Sequence, residues 1–225
     1  MAALGGCTNF VAQGRNAEGV RMVETGQYQQ ALGEFQEAVY IDPANADAYY
    51  NLAATYHRLG RLRGQPDDLA RSETFYNQCL QLEPNHCDGH RGLAVLLAEK
   101  GRTDEAVRSL QVWAQQQPWL ADPRIELARL YEELGDRATA KERLVEAVRV
   151  DPNNARQWAA LGKLREETGE YPQALSNYQR SLYLDAAQPE VAARVTAMQG
   201  LAAQPPSPAP GGPARTVGVP SSAWR

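Results

Sequence analysis

Between Ala155 and Gln188 the apolar positions fall into two short runs, Trp158, Leu161 and Leu164, then Ala174, Leu175, Tyr178 and Leu182. Steps of three and four residues put each run on one face of an α-helix. Gly169 separates the runs. A residue without Cβ takes the left-handed conformation of a helix end cheaply, and Pro172 suits the opening turn of the next helix, where its missing N–H is not needed. Neither helix is long enough to stand alone or to cover its own stripe. The pattern therefore predicts helix pairs that stack and share one core.

The same pattern recurs along the chain. Pro43, Pro84, Pro118 and Pro152 are separated by 41, 34 and 34 residues, and Gly26, Gly60, Gly101, Gly135 and Gly169 by 34, 41, 34 and 34. The small residues Ala31, Ser72, Ala106, Ala140 and Ala174 follow at 41, 34, 34 and 34. Three series agree on one period, which predicts five units at 12–45, 46–86, 87–120, 121–154 and 155–188. Seven extra residues lie between Gly60 and Ser72. This stretch, Arg61 to Asp67, is expected to lengthen the turn inside the second unit, with Asp67 or Asp68 capping the next helix. Val191, Val195, Met198 and Leu201 at helical spacing predict a capping helix over 189–201. Segment 1–11 is expected to be flexible. From 202 to 225 six prolines and a Gly pair leave no hydrophobic period, so that tail is expected to be extended or disordered.

These residues resemble the tetratricopeptide repeat, whose 34-residue unit carries a Trp, a Leu-Gly pair, aromatics, an Ala and a Pro at fixed offsets. The last unit has Trp158, Leu161-Gly162, Ala174 and Tyr178 in register. The second has Tyr49, Leu52, Tyr56, Tyr76 and Pro84, and the fourth has Leu127-Ala128, Tyr131, Ala140, Leu144, Ala147 and Pro152. Arg15 and Glu18 stand where the family has apolar residues, and Ala186 where it has Pro. The resemblance implies an all-α solenoid wound as a right-handed superhelix, with the first helix of each pair lining a concave groove that holds a protein or peptide. Carried over position by position, the inward residues are Asp47, Tyr50, Ala54, His57 and Arg58, then Arg91, Val95 and Glu99. In the last two units they are Ile125, Arg129 and Glu132, then Arg156, Lys163 and Glu166. Tyr50, His57, Arg91, Arg129 and Lys163 are the candidate partner contacts. Arg91, Arg129 and Lys163 form either a cationic ladder for carboxylates or local ion pairs with Glu99, Glu132, Glu133, Glu166 and Glu167. The Lys and Asn carboxylate clamp of chaperone-binding relatives is not reproduced.

Charge narrows the partners. The net charge is -4 with both signs interleaved, so no basic stripe for nucleic acid is present. No phosphate loop, nucleophile elbow or paired-histidine metal helix occurs, and neither catalysis nor a cofactor is expected. Cys79, His86, Cys87 and His90 bring two thiols and two imidazoles close in sequence. Their spacing lacks the paired ligands of zinc modules, and packing is the expected role. Leu4-Gly5-Gly6-Cys7 resembles the lipobox of bacterial lipoproteins, but only Met1, Ala2 and Ala3 precede it. Either a longer start supplies a signal and Cys7 is a lipid anchor in the cell envelope, or Cys7 is a chance thiol of a protein that stays in the cytoplasm. A scaffold or adaptor is the expected function. The alternatives are an accessory domain of a larger enzyme or transferase, and an envelope-biogenesis lipoprotein.

Overall fold

A computed structural model describes residues 5–203, with side-chain surroundings for 9–200. Eleven helices run in chain order: α1 Gly5–Glu24, α2 Tyr28–Ile41, α3 Ala46–Arg63, α4 Pro66–Leu82, α5 Cys87–Glu99 and α6 Thr103–Gln116. They continue with α7 Asp122–Glu133, α8 Arg137–Val150, α9 Ala155–Glu167, α10 Tyr171–Leu184 and α11 Pro189–Ala203. Each odd helix packs on the even helix after it, and each even helix on the odd helix that follows, so five pairs stack as an α-solenoid closed by α11. No strand occurs among the described residues.

Local chemistry sets the ends. Asn45, Asp136 and Asn154 cap α3, α8 and α9 by accepting from Ala48, Thr139 and Arg156 N–H groups. The core runs along the stack as four clusters, three of them joined through partly buried Phe75 and Tyr131, and each unit contributes a small residue where two helices touch. Ala31, Ala106, Ala140, Ala174 and Ser72 have no exposed surface, and the Ser72 hydroxyl donates to the Ala53 carbonyl at 2.8 Å. Around these contacts sit Leu96, Leu110 and Trp113 in the middle of the stack, and Leu161 and Leu164 further along. Met198 of α11 covers Ala174 and Tyr178 with Val191 and Val195, as a cap should.

Three expectations change. The insertion does not lengthen a turn: α3 runs through Gly60 to Arg63, and the stop moves to Gly64, at φ 66°. Gly60 instead lies inside the helix against Leu69, whose Cδ2 would stand 2.5 Å from an added Cβ. A glycine can serve a close approach or a stop, and here packing claims Gly60 while Gly64 supplies the left-handed residue. Nor do Asp67 and Asp68 cap α4. Gln65 holds that position without a side-chain bond, Pro66 opens the helix, and both aspartates fall in its first turn, where they favour the helix dipole. Finally, α1 starts at Gly5, ahead of the boundary expected at 12, because no proline interrupts it. Its degenerate face still packs: Gly19 is pressed against Phe35, and Arg15 pairs with Glu34 at 2.9 Å.

Candidate functional site

The odd helices α3, α5, α7 and α9 carry the inward positions, and cavities open between them. The first, about 690 Å³, lies between α3 and α5 and includes Tyr50, His57, Arg58, Arg61, Tyr76 and Arg91 in its wall. The second, about 380 Å³, lies between α5 and α7 and includes Arg91, Val95, Leu130, Arg129 and Glu132. A third, about 680 Å³, lies beside α9 and α11 and includes Lys163, Tyr178 and Arg194. Tyr50, His57 and Arg91 thus meet at one cavity and Arg91 and Arg129 at the next, while Lys163 stands apart.

Their surroundings differ. Tyr50 is half-buried, its ring 6.2 Å from Tyr76 and 5.1 Å from His86, and burial raises its phenol pKa. His57 is nearly buried and its Nε2 donates to the Glu99 carboxylate at 2.8 Å, while Arg61 reaches the other oxygen at 3.5 Å. Arg91 is not a free cation. It donates from Nε and Nη2 to Glu126 at 2.8 and 2.7 Å and from Nη1 to Asp88 at 2.7 Å, which raises its pKa. The Glu126 side chain is only 2% exposed. Lys163 pairs with Glu167 at 3.8 Å, whereas Arg129 is exposed on the rim with no carboxylate within ion-pair distance among the described residues.

Spacing alone could have located Glu126. Arg91 and Glu126 lie 35 residues apart, one period plus one, and so do Asn16 and Asn51, whose amides bond at 2.9 Å. With the insertion added, His57 and Glu99 obey the same rule at 42. Stacking sets each position of an odd helix against the next position of the following odd helix. Scanning for charges three or four apart within one helix misses these pairs.

The sulfur and imidazole cluster is engaged in packing. His86 caps α5, its Nδ1 accepting from Gly89 N–H at 3.0 Å and its Nε2 donating to Asp47 at 3.2 Å. His90 lies flat on Trp113 with 3.9 Å between rings, and its Nε2 donates to the Pro84 carbonyl at 2.9 Å. Trp158, two periods later, donates to the Pro152 carbonyl at 2.9 Å in the same way, so His90 does the work of the family's Trp. Burial lowers the His90 pKa, and it pushes the Cys79 and Cys87 thiols up to about 12. The side chain of Cys7 and the stretch 204–225, with Trp224, lie outside the described residues. No described helix is long and apolar enough to cross a membrane.

Comparison with known proteins decides the lineage. Profiles described as TPR repeat and tetratricopeptide repeat match residues 19–60, 46–86 and 125–192, together well over half of the chain. The chain belongs to the tetratricopeptide-repeat family. Among curated relatives of this repeat chain, the human protein O-mannosyl-transferase TMTC3 is 26% identical over 167 residues. That match takes in 70% of this chain and 18% of the transferase, so the chain spans under a fifth of the relative's length. A thermophilic tetratricopeptide-repeat protein of Thermus thermophilus superposes with a TM-score of 0.58 at 22% identity, over 84% of this chain and 98% of that one. The pilF protein of Pseudomonas aeruginosa superposes at 0.56 and 18% identity, over 86% and 85%. These two establish the fold of the tetratricopeptide solenoid.

Proposed function

We propose that this chain is a protein-interaction scaffold that seats a peptide or protein segment along its concave side. The observation that carries the reading is the alignment of cavities on the odd helices, with Val95 in the walls of two of them. Such concave walls, in which apolar surface from Ala54, Val95 and Leu130 alternates with Arg, Glu and Tyr side chains, suit a bound chain segment. The reading is non-catalytic for the described solenoid: both described thiols are kept protonated by burial, and its imidazoles hold helix ends or carboxylates. Tyr50, Arg91 and Arg129 are its proposed contact residues, with His57 shaping the wall and Lys163 extending the surface toward α11.

The test is affinity capture with the intact chain and a Val95→Arg variant, read by mass spectrometry. Partners held in the groove disappear with the variant, whose bulky cation fills both cavity walls. Partners retained by a folded Val95→Arg chain refute the concave reading. A second reading, a scaffold module within a larger transferase, draws support from the match to a segment of TMTC3. Glycosyl transfer by a longer native form, abolished by deleting residues outside 5–203, is the outcome that reading requires.

A further inference from the structure

We infer that the first turn of α5 is a proton-operated joint, closed while His86 and His90 are neutral and opened when both take up a proton. The inference goes beyond the scaffold reading and does not depend on it. All three histidines of the chain, His57, His86 and His90, meet where α5 packs against α3 and the turn after α4. Two of them are built in as neutral rings. His86 Nδ1 accepts the Gly89 N–H at 3.0 Å, and a proton on that nitrogen would set donor against donor and end the cap. His90 Nε2 donates to the Pro84 carbonyl at 2.9 Å, so a second proton would fall on Nδ1, which is buried without a partner. Both new charges would also stand at the positive end of the helix dipole.

The surrounding groups do little to hold the protonated rings in place. The carboxylate facing His86 is Asp47 of α3, which is 74% exposed, so that pair gains little when His86 is charged. Tyr50 of α3 and Cys79 of α4 are kept protonated by burial. α6 sets Glu105 and Arg108, one of each sign, in the wall of the cavity beside His90. Glu126 of α7 and Asp88 of α5 are already bonded to Arg91, and burial keeps the Cys87 thiol protonated. His57 answers the other way. With Arg61 on the other oxygen, its Nε2 meets Glu99 at 2.8 Å, and a proton turns that bond into an ion pair between α3 and the last turn of α5. Acid therefore frees one end of α5 and ties the other. Burial lowers the His90 pKa from 6.5, so the closed turn is at full strength above about 6.5 and loosens as pH falls below it. Asp88 and Arg91, in and beside this turn, stand in the wall of the cavity between α3 and α5, whose shape the joint sets.

Hydrogen exchange of the intact chain, read by mass spectrometry at about pH 7.5 and about pH 5.5 and corrected for intrinsic rates, tests the joint. A later junction of the same design is the internal control, because Asn154 caps α9 and Trp158 donates to the Pro152 carbonyl, with no imidazole in either place. Protection over 87–93 should fall up to about tenfold per histidine one unit below the ordinary imidazole value, while 155–161 keeps its protection. His86→Asn/His90→Phe, which brings in the cap residue of α3 and α9 and a stacking ring that takes no proton, should leave 87–93 protected at both pH values. The milder His86→Asn alone should remove part of the loss. Circular dichroism at both values checks the fold of each chain. Equal loss over 87–93 and 155–161 is general loosening by acid and overturns the inference. An unchanged 87–93 in wild type, or the wild-type loss retained in both variants, also overturns it, and each of these results leaves the groove reading standing.

Discussion

Replacing Arg91 with Ala removes the guanidinium that satisfies Glu126, a carboxylate whose side chain is 2% exposed. Two bonds to Glu126, at 2.8 and 2.7 Å, and one to Asp88 vanish together. Breaking one partner out of a fully buried pair costs about 3–5 kcal/mol, because the other charge is left without compensation. Arg91 is itself 38% exposed, so water can enter the vacated space and the expected cost falls to about 2 kcal/mol. Arg129→Ala and Lys163→Ala, at exposed positions, should each cost about 0.5 kcal/mol or less. The double Arg91→Ala/Glu126→Ala should recover at least about 1 kcal/mol of the loss, since it leaves no stranded carboxylate. Urea denaturation followed by far-ultraviolet circular dichroism reads all four variants, provided the slope stays constant. If Arg91→Ala unfolds at the same midpoint as Arg129→Ala, the inter-helix pair is not a structural tie and Arg91 is a free groove cation.

The moved helix stop makes Gly64→Ala costly by about 1 kcal/mol, because a Cβ at φ 66° is strained; an unchanged melting temperature would return the stop to Gly60. Ala140 has no exposed surface between α8 and its neighbours, so Ala140→Trp should lower stability by about 1–3 kcal/mol or more, measured by the same denaturation. Cys79 and Cys87, their thiols pushed up to about 12 by burial, should resist a disulfide reagent near neutral pH in the native Cys7→Ser chain and react fully in denaturant. His90 has a folded pKa lowered below 6.5 by burial, so its contribution is complete above about 6.5 and fades as pH falls below it. Relative to His90→Phe, wild type should therefore lose stability on acidification, and parallel pH curves would contradict the neutral, stacked imidazole.

The frame was legible because the stack imposes one period on three residue classes for separate reasons. Prolines mark the ends of pairs, glycines the stops inside them, and small residues the close helix contacts. Legibility failed where one residue had two possible uses. Gly60 falls in the glycine series, yet its packing against Leu69 keeps it helical, and nothing in the local pattern reveals that choice. Site chemistry was harder to read because its partners come from the next unit. Arg91 was recognisable as an inward cation, but its state depends on Glu126 one period and one residue away.

A photoreactive residue tests the central claim most directly. One chain carries it at Val95, in the walls of two concave cavities, and a control carries it at Arg149, exposed on α8. After capture of partners and irradiation, cross-links to the same protein or peptide should form from Val95 and not from Arg149. Cross-links from Arg149 with none from Val95 would contradict binding in the concave groove.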